Sequence, residues 1–219
     1  MNNPNDFKLI ETMLWEKGDF FLLDLHLSRL ERSADEFSFF CNLDEVRKVL
    51  SNVSRGFDPS HSYKVRFTVT KQGELDMSCT PLSQKTEEPV KLILSEKSID
   101  KSDIFLRHKT TKRGLYNSEL ERVRELGFYD AVFSNQDGEI TEGCISNIVI
   151  KNRDEYFTPP VSSGVLPGVY RQFLLEKNDF PLKEKVLYKE DLLNADNIFV
   201  ANSVVTLLPA IFPSDEKTP

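Results

Sequence analysis

The stretch GFYDAVFSNQDGEITEGCISNIVI (127–150) carries the clearest β-sheet pattern in the chain. YDAVFSN and GEITEG read as two strands on either side of an Asp137–Gly138 turn, since Asp-Gly is a preferred two-residue hairpin turn. ISNIVI (145–150) follows as a further strand. The pattern therefore predicts a β-rich region, and Glu142 lies on one of its strands.

The sequence on either side of this stretch adds more strands than helices. Runs of β-branched and aromatic residues predict strands, and cap residues predict where helices begin and end. Strands are predicted at 90–95 and 197–203, and helices over 117–127, with Asn117 or Ser118 as N-cap and Gly127 after the end, and at VYRQFLLEK, after the turn framed by Gly164 and Gly168.

The first half of the chain mixes helices and strands. FFLLD (20–24) predicts a strand, after which Asp24 or Ser28 would cap a helix. Asn42, with Glu45 three residues later, predicts the start of a second helix. The apolar face of the first helix would contain Leu27, Leu30, Ala34 and Phe37, and that of the second Leu43, Val46, Leu50 and Val53.

A hairpin and a polar linker complete the first half. KVRFTVT (64–70) and ELDMSCT (74–80) predict paired strands with a turn at Gln72–Gly73. SQKTEEP (83–89) is polar and ends in proline, which is typical of a domain junction. We therefore predict an α+β protein with two domains, 1–86 and 87–219, and a site between them.

Composition limits the classes of function. The 219 residues are 39 % hydrophobic and 29 % charged, with a formal net charge of -7. This acidic balance disfavours nucleic-acid binding, because phosphate backbones require a basic surface. The N-terminus lacks a basic segment followed by an apolar run, so we expect no signal peptide, no membrane span and a cytoplasmic protein. Three cysteines without a CxxC pair indicate reduced thiols, and three histidines without ligand spacing indicate no metal site.

RHKTTKR (107–113) is a basic stretch in this acidic chain, and Lys109 is its candidate nucleophile. Neighbouring cations disfavour a protonated lysine and lower its pKa, and a neutral lysine can form a Schiff base with a carbonyl. Arg107, Lys112 and Arg113 are near enough in sequence to do so. The alternative is a solvated basic loop.

Further candidates are an acid and a set of anion-binding groups. Glu142 would share a strand face with apolar Ile140, where a carboxylate needs a cationic partner, either an arginine or a protonated ring nitrogen of a ligand, unless the site is partly exposed. Free amides at Val169 and Tyr170, after the glycine turn, could hold a phosphate, although such turns are common. Arg29 would be a surface arginine by its helical position, and Asn202 and Ser203 offer polar groups or form a turn.

Taken together, these segments resemble the class IV, fold-type IV, pyridoxal-phosphate enzymes. This group includes D-amino-acid and branched-chain aminotransferases and 4-amino-4-deoxychorismate lyase. The styles of LIET and KTTKR resemble the lyase branch most. The matching segments, in the family's order, are LIET (9–12), LDLHLSRLERSA (23–34), HKTTKRGLY (108–116), the stretch 127–150, TPPVSSGVLPGVYR (158–171) and FVANSVVTLLPA (199–210).

The resemblance implies a role for each candidate. Lys109 corresponds to the lysine that holds the cofactor and later acts as general base, and Glu142 to the acid that faces the pyridine nitrogen. Phosphate would be bound by Arg29, the amides of Val169 and Tyr170, and Asn202 with Ser203; Asn147 would be a polar partner, and Arg107 and Thr12 substrate contacts.

The resemblance also implies a fold and partners. The fold would have a small N-terminal α/β domain and a larger C-terminal pseudo-barrel, in a homodimer that acts on a small amino substrate. The lyase would expel pyruvate and leave p-aminobenzoate in folate biosynthesis, with an aminodeoxychorismate synthase as partner. The alternatives are an aminotransferase and a non-catalytic binding relative. Two departures are the absence of the N-terminal strand usual before LIET, and Val205, which cannot bind a carboxylate.

Overall fold

The computed structural model describes residues 6–83, 88–177 and 180–213, which fold into two compact units. The first unit contains 6–83 and 108–112, and the second contains 88–107, 113–177 and 180–213. The predicted junction at 83–89, with its boundary between 86 and 87, falls on residues 84–87, which lie outside the described residues. Lys109 belongs to the first unit, although residues of the second flank its segment along the chain.

The first unit is an antiparallel four-stranded sheet, in the order β2-β1-β3-β4, that packs with two helices. Its apolar core joins β1 and β3 to α1 through side chains such as Met13, Leu27 and Phe67, all essentially inaccessible to solvent. The elements are β1 (Leu9–Glu16), β2 (Asp19–Phe20), α1 (Leu23–Phe37), α2 (Leu43–Ser54), β3 (Tyr63–Val69) and β4 (Leu75–Pro81).

The start of α1 differs from the prediction. The strand expected over 20–24 is only β2, because Leu22 adopts a left-handed conformation with φ of 58° and the helix begins at Leu23. Leu22 is therefore the N-cap, without a side-chain cap, and neither Asp24 nor Ser28 caps the helix. The predicted apolar face is confirmed at Leu27, Leu30 and Ala34, which are buried.

The second helix and the hairpin predicted for the first unit are confirmed. The side chain of Asn42 accepts a hydrogen bond from the Glu45 amide, which caps α2. β3 and β4 pair as the expected hairpin, with Gly73 at a positive φ in its turn. A Cβ on Gly73 would lie 2.6 Å from the exposed ring of Phe40 and 3.0 Å from its carbonyl oxygen, and the positive φ itself disfavours other residues.

The second unit is an eight-stranded sheet, six strands of which close into a ring. The order is β10-β9-β8-β11-β12-β5-β6-β7, and β7 also pairs with β8. The predicted α+β class, with a larger barrel-like second region, is confirmed. The elements are β5 (Val90–Ile99), α3 (Gly114–Glu125), β6 (Asp130–Asn135), β7 (Ile140–Gly143), β8 (Asn147–Asn152), β9 (Glu155–Thr158), α4 (Val169–Glu176), β10 (Leu182–Glu184), α5 (Lys189–Leu193), β11 (Asn197–Asn202) and β12 (Thr206–Ile211).

Helix α3 begins earlier than predicted. Its N-cap is Arg113, and the Asn117 side chain accepts a hydrogen bond from the Arg113 guanidinium at 2.9 Å instead of capping amides. Gly127 follows the helix with φ of 84°, as expected for a residue that ends a helix in the left-handed region. The predicted strands at 90–95, 129–135, 138–143, 145–150 and 197–203 all occur with shifted ends, whereas β9, β10 and β12 were not predicted.

Candidate active site

Lys109 lies in a short segment that pairs with β1 in the first unit. Its carbonyl accepts a hydrogen bond from the amide of Ile10 at 2.8 Å. Two residues later, the Thr111 amide donates to the Lys8 carbonyl at 2.9 Å, and the Thr111 hydroxyl accepts from the Lys8 amide at 2.9 Å. These backbone hydrogen bonds fix the position of the Lys109 main chain beside β1. The Lys109 side chain is half-buried.

Side-chain contacts hold this segment on both sides of Lys109. The Nδ1 atom of His108 lies 2.9 Å from the hydroxyl of Ser33, and its ring packs edge-on against Phe37 at 4.7 Å between centroids. The amine of Lys112 lies 5.8 Å from the centroid of the Phe7 ring, within cation–π range. The basic stretch is thus an ordered part of the first unit at His108 and Lys112.

A buried network of polar groups connects β1 to α1. The Arg29 guanidinium donates from Nε to Oε1 of Glu11 at 2.9 Å and from Nη2 to Oε2 at 2.7 Å. The Nδ1 atom of His26 lies 2.6 Å from the same Oε2. Glu11 is 1 % exposed and Arg29 is 5 % exposed, so the surface alternative for Arg29 is wrong: Glu11 on β1 supplies a buried carboxylate for it.

The charges of this network follow from its contacts. Burial by itself would raise the pKa of Glu11, but the positive charge of Arg29 and the contact with His26 lower it to about 2. Burial lowers the pKa of His26 more than Glu11 raises it, and the charges of Arg29 and Lys109 add to the lowering. Glu11 is therefore ionised and His26 neutral near pH 7, so His26 donates its Nδ1–H to Glu11.

Neutral His26 also leaves a buried acceptor. Its Nε2 atom is fully buried and has no hydrogen-bond partner among the residues that the structure describes. Glu11 and His26 were not among the predicted site residues, although both lie inside matching segments, LIET and LDLHLSRLERSA. The signal that could have found Glu11 is a carboxylate in the middle of an apolar strand, where it requires a cation.

The other candidates are Arg107 and Arg113, in the second unit, and Thr12, in the first. Arg107 is exposed at the end of a short 3-10 turn, Ile104–Arg107, and Thr12 is half-buried on β1. Arg113 donates to the Asn117 side chain and to the Cys144 carbonyl. The hypothesis that neighbouring cations lower the pKa of Lys109 therefore stays a prediction, as do the roles of Arg107 and Thr12.

In the second unit, Glu142 lies where the ring of strands closes. It pairs with Asn147 in the register between β7 and β8, and all four residues of β7 are buried. Alternation along this strand consequently does not distinguish a polar from an apolar face. Three groups donate hydrogen bonds to the carboxylate: Tyr116 Oη at 3.1 Å, the Leu166 amide at 3.0 Å and Asn147 Nδ2 at 3.4 Å.

Tyr116 was not among the predicted site residues. Burial raises the pKa of its hydroxyl far above the usual range, and the negative charge of Glu142 raises it further. The phenol is therefore a neutral donor to the carboxylate at any physiological pH. Its position at the end of the segment HKTTKRGLY, in the first turn of α3, was the available signal.

The turn from Glu142 to Asn147 is held by a second buried carboxylate, Asp130. It accepts hydrogen bonds from the Cys144 amide at 2.8 Å, the Ile145 amide at 3.3 Å and the Ser146 hydroxyl at 2.6 Å. Burial raises the pKa of Asp130 more than these donors lower it. The Asp130 side chain thus supports residues 144–146, which directly follow the strand that carries Glu142.

The N-terminus of α4 meets the same region. No side chain caps it at Gly168, and the first amides of a helix have no partner within the helix itself. A Cβ on Gly168 would lie 1.9 Å from Asn147 Oδ1, so only glycine permits this approach. Val169 is buried and Tyr170 is half-buried.

Asn202 is the last residue of β11, which packs against α4, and Ser203 follows it. The Asn202 side chain accepts hydrogen bonds from the amides of Val204 at 2.9 Å and Val205 at 3.0 Å, and donates to the Ile145 carbonyl at 3.2 Å. Residues 203–205 form a turn, so the turn alternative is observed for Ser203, and the Asn202 side chain binds that turn. The predicted roles of Asn202 and Ser203 toward phosphate stay predictions. Ser203 is buried beside it.

Metal-binding clusters and membrane-spanning helices were sought in the described residues, 6–83, 88–177 and 180–213. No group of three or more His, Cys, Asp or Glu side chains in these ranges could hold a metal ion. No helix there has the length and apolarity needed to cross a membrane.

Comparisons with known proteins give a family and a fold. The family model for amino-transferase class IV matches residues 8–211. Aminodeoxychorismate lyase of Bacillus subtilis is 27 % identical over 92 % of this chain and 75 % of its own. A Mesorhizobium loti protein, provisionally named an amino-acid aminotransferase, has a crystal structure that matches with a TM-score of 0.88 and 32 % identity, over 95 % of this chain and all of that one. A hypothetical aminotransferase of Mycobacterium tuberculosis, solved with pyridoxal phosphate bound, matches with a TM-score of 0.87 and 20 % identity, over 99 % of this chain and 84 % of that one.

Proposed function

Because this chain belongs to the amino-transferase class IV family, whose members are pyridoxal-phosphate-dependent enzymes, we propose that it is a 4-amino-4-deoxychorismate lyase. The reaction eliminates pyruvate from the substrate and leaves p-aminobenzoate. The observation that carries the proposal is the match along LIET and HKTTKRGLY to the lyase style, together with the similarity to the lyase of Bacillus subtilis. The ordered contacts around Lys109 support a chemical rather than a solvated role for it.

The residues fit the chemical groups of the cofactor. Pyridoxal phosphate has a phosphate ester, a carbonyl and a pyridine nitrogen. The first unit offers a buried arginine, Arg29, a half-buried lysine, Lys109, and the buried, unpartnered Nε2 of His26. The second unit offers the buried carboxylate of Glu142 and the uncapped N-terminus of α4. Each unit thus supplies groups of the chemical kinds that bind a phosphate or a pyridine ring.

The proposed roles of these residues are electrostatic and acid–base. When bound, the cofactor supplies a sink for the electrons released from the substrate. Lys109 would take the proton from the substrate's acidic C–H, which requires a neutral amine. Glu142 would keep the facing ring nitrogen protonated, because a carboxylate raises the pKa of an adjacent cation. Arg29 and the amides of Val169 and Tyr170 would neutralise the phosphate.

An aminotransferase is the second candidate, and specific observations favour it. The Mesorhizobium loti structure, at 32 % identity, carries an aminotransferase name. Val205, in the turn that Asn202 holds, offers only an apolar side chain where a diacid substrate would need a cation. Exposed Arg107 is the candidate to supply that cation for the lyase substrate.

The deciding experiment is a product assay on the purified protein with pyridoxal phosphate. With 4-amino-4-deoxychorismate, we expect equal amounts of pyruvate and p-aminobenzoate from the wild type. Lys109→Ala should give neither, and Lys48→Ala, which removes an exposed amine on α2 of the same unit, should retain both. Turnover of an amino acid with a keto acid, without pyruvate release from the first substrate, would identify an aminotransferase. A protein that takes up no pyridoxal phosphate would instead be a non-catalytic relative.

We also propose that the enzyme acts as a homodimer and receives its substrate from an aminodeoxychorismate synthase. Light scattering at several concentrations tests the first proposal, and co-purification with the synthase tests the second. A monomer at assay concentrations would contradict the dimer.

A further inference from the structure

The carboxylate of Glu11 binds one arginine with both of its oxygens. Two parallel hydrogen bonds, from Nε and Nη2 of Arg29, leave the guanidinium plane little freedom to rotate. A single hydrogen bond would allow the planar group to swing about its terminal torsions. The pair therefore fixes the direction in which the arginine acts.

His26 holds the carboxylate in turn. Its Nδ1–H donates to Oε2, the oxygen that also accepts from Nη2 of Arg29. His26 and Arg29 are three residues apart on α1, so the two side chains reach β1 from the same side of the helix. The order of support runs from His26 to Glu11 and from Glu11 to Arg29.

Stability alone is a weak reason for burying this group. Removing two charges from water costs about as much as their attraction returns, and apolar replacements of buried ion pairs are often neutral or stabilising. The unpartnered, fully buried Nε2 of His26 adds a further polar atom that an apolar core would avoid. Both observations point to a role in binding at this position.

We propose that Glu11 is a positioning residue for the phosphate ester of the cofactor: it holds the Nε–Nη2 edge of Arg29 so that the guanidinium is oriented before the phosphate arrives. His26 is the second positioning residue, because it fixes the carboxylate. The inference rests on the proposed function, in which Arg29 binds phosphate. Preorganisation of this kind strengthens binding by reducing the entropy lost when the ligand arrives.

The test is isothermal titration of wild type and Glu11→Gln with three probes. Pyridoxal phosphate carries both the carbonyl and the phosphate, pyridoxal lacks the phosphate, and 4-deoxypyridoxine 5′-phosphate lacks the carbonyl. We expect Glu11→Gln to weaken binding of the two phosphorylated probes about tenfold and to change pyridoxal binding less than about twofold, in the range of other outer-shell substitutions. Asp24→Asn is the matched control, because it removes an exposed carboxylate and its ion pair from α1, the helix that also carries Arg29.

Non-additivity shows whether Glu11 acts through Arg29. In an Arg29→Lys background, Glu11→Gln should cost little further affinity for the phosphorylated probes, because the oriented group is already absent. Full additivity would overturn the proposal. So would an equal loss for all three probes, which indicates a structural role, or a gain for the phosphorylated ones, which indicates simple charge repulsion.

A third variant protects the test against poor folding. His26→Leu keeps the two hydrogen bonds between Glu11 and Arg29 but removes the support behind them, and should weaken phosphorylated probes about threefold, less than Glu11→Gln. If Glu11→Gln does not fold, an unchanged His26→Leu overturns the proposal. If the wild type binds pyridoxal but neither phosphorylated probe more tightly, the proposed phosphate role of Arg29 fails before the role of Glu11 is reached.

Discussion

Glu11 in the first unit and Asp130 in the second are equally buried carboxylates with opposite electrostatics. Glu11 is contacted by an arginine and a histidine, and its pKa is lowered to about 2. Asp130 accepts hydrogen bonds from backbone amides and one hydroxyl, and burial raises its pKa. The comparison teaches that charge compensation, and not burial alone, sets the protonation behaviour of an internal acid.

The two acids also support different kinds of element. Glu11 joins a strand to a helix through long side chains, and its geometry is set by Arg29 and His26. Asp130 is tied to consecutive backbone groups of one turn, at residues 144–146. Substitutions in the second region should therefore act through the backbone, and those in the first through charge.

The largest expected effect comes from crowding the Asp130 turn. In Gly143→Ala, the new Cβ would lie 2.4 Å from Asp130 Oδ2 and 2.8 Å from the Ser146 hydroxyl. We expect a loss of roughly 4 kcal/mol in the free energy of unfolding, because the hydrogen bonds of the Asp130 carboxylate to residues 144–146 leave it no room to move away. Urea denaturation measures it.

Gly114→Ala is the control for this substitution. Gly114 lies in the first turn of α3, its φ is not positive, and a Cβ there would meet nothing within 4 Å. Stability should be unchanged or rise by up to about 1 kcal/mol, since alanine favours helix more than glycine does. If Gly143→Ala lost no more unfolding free energy than Gly114→Ala, the turn would accommodate the added Cβ and would not be rigid.

Glu11→Gln is expected to have the next largest effect, with a distinct pH dependence. A pKa lowered from 4.5 to about 2 corresponds to about 3 kcal/mol of stability at neutral pH. Because the folded pKa is the lower one, this contribution is fully present above about pH 4.5 and is lost as the pH falls toward 2. Urea unfolding of wild type and variant at several pH values should show a gap that widens as pH rises through this window.

Asp130→Asn should show the opposite trend. Its amide cannot accept all of the hydrogen bonds of the carboxylate, and an unsatisfied buried donor costs about 2 kcal/mol. The folded pKa of Asp130 lies above the ordinary 3.8, so the wild type loses stability relative to the variant as pH rises above 3.8. The gap between wild type and variant should narrow with rising pH, and a gap that widens as for Glu11→Gln would refute the contrast.

The sequence predicted elements where local signals are strong. Asn42 with Glu45 marks the start of α2, and the alternation of Val65, Phe67 and Val69 marks β3; both are confirmed. The start of α1 was missed because Leu22 adopts a positive φ, which leucine rarely does. That conformation depends on tertiary packing, which no residue pattern records.

The candidate site was predictable only in part, for a similar reason. The motifs identified Lys109, Arg29 and Glu142, but a motif does not record which side chains converge on them. Glu11 is 18 residues from Arg29, and Tyr116 is 26 residues from Glu142, so these contacts arise only when strands and helices pack. The helical position of Arg29 favours an exposed side chain, yet the side chain is buried because Glu11 on β1 binds its guanidinium.

The smallest expected effect sharpens the comparison between buried and exposed charge pairs. Asp24, on the same helix as Arg29, forms an ion pair with Arg47 at 2.7 Å, with side chains 85 % and 45 % exposed. Asp24→Asn should change the free energy of unfolding by less than about 0.5 kcal/mol, because water and salt screen exposed pairs. Urea titrations at low and high salt measure it. A loss comparable with that of Glu11→Gln would show that the arginine contact itself, and not its removal from water, gives the Glu11 network its strength.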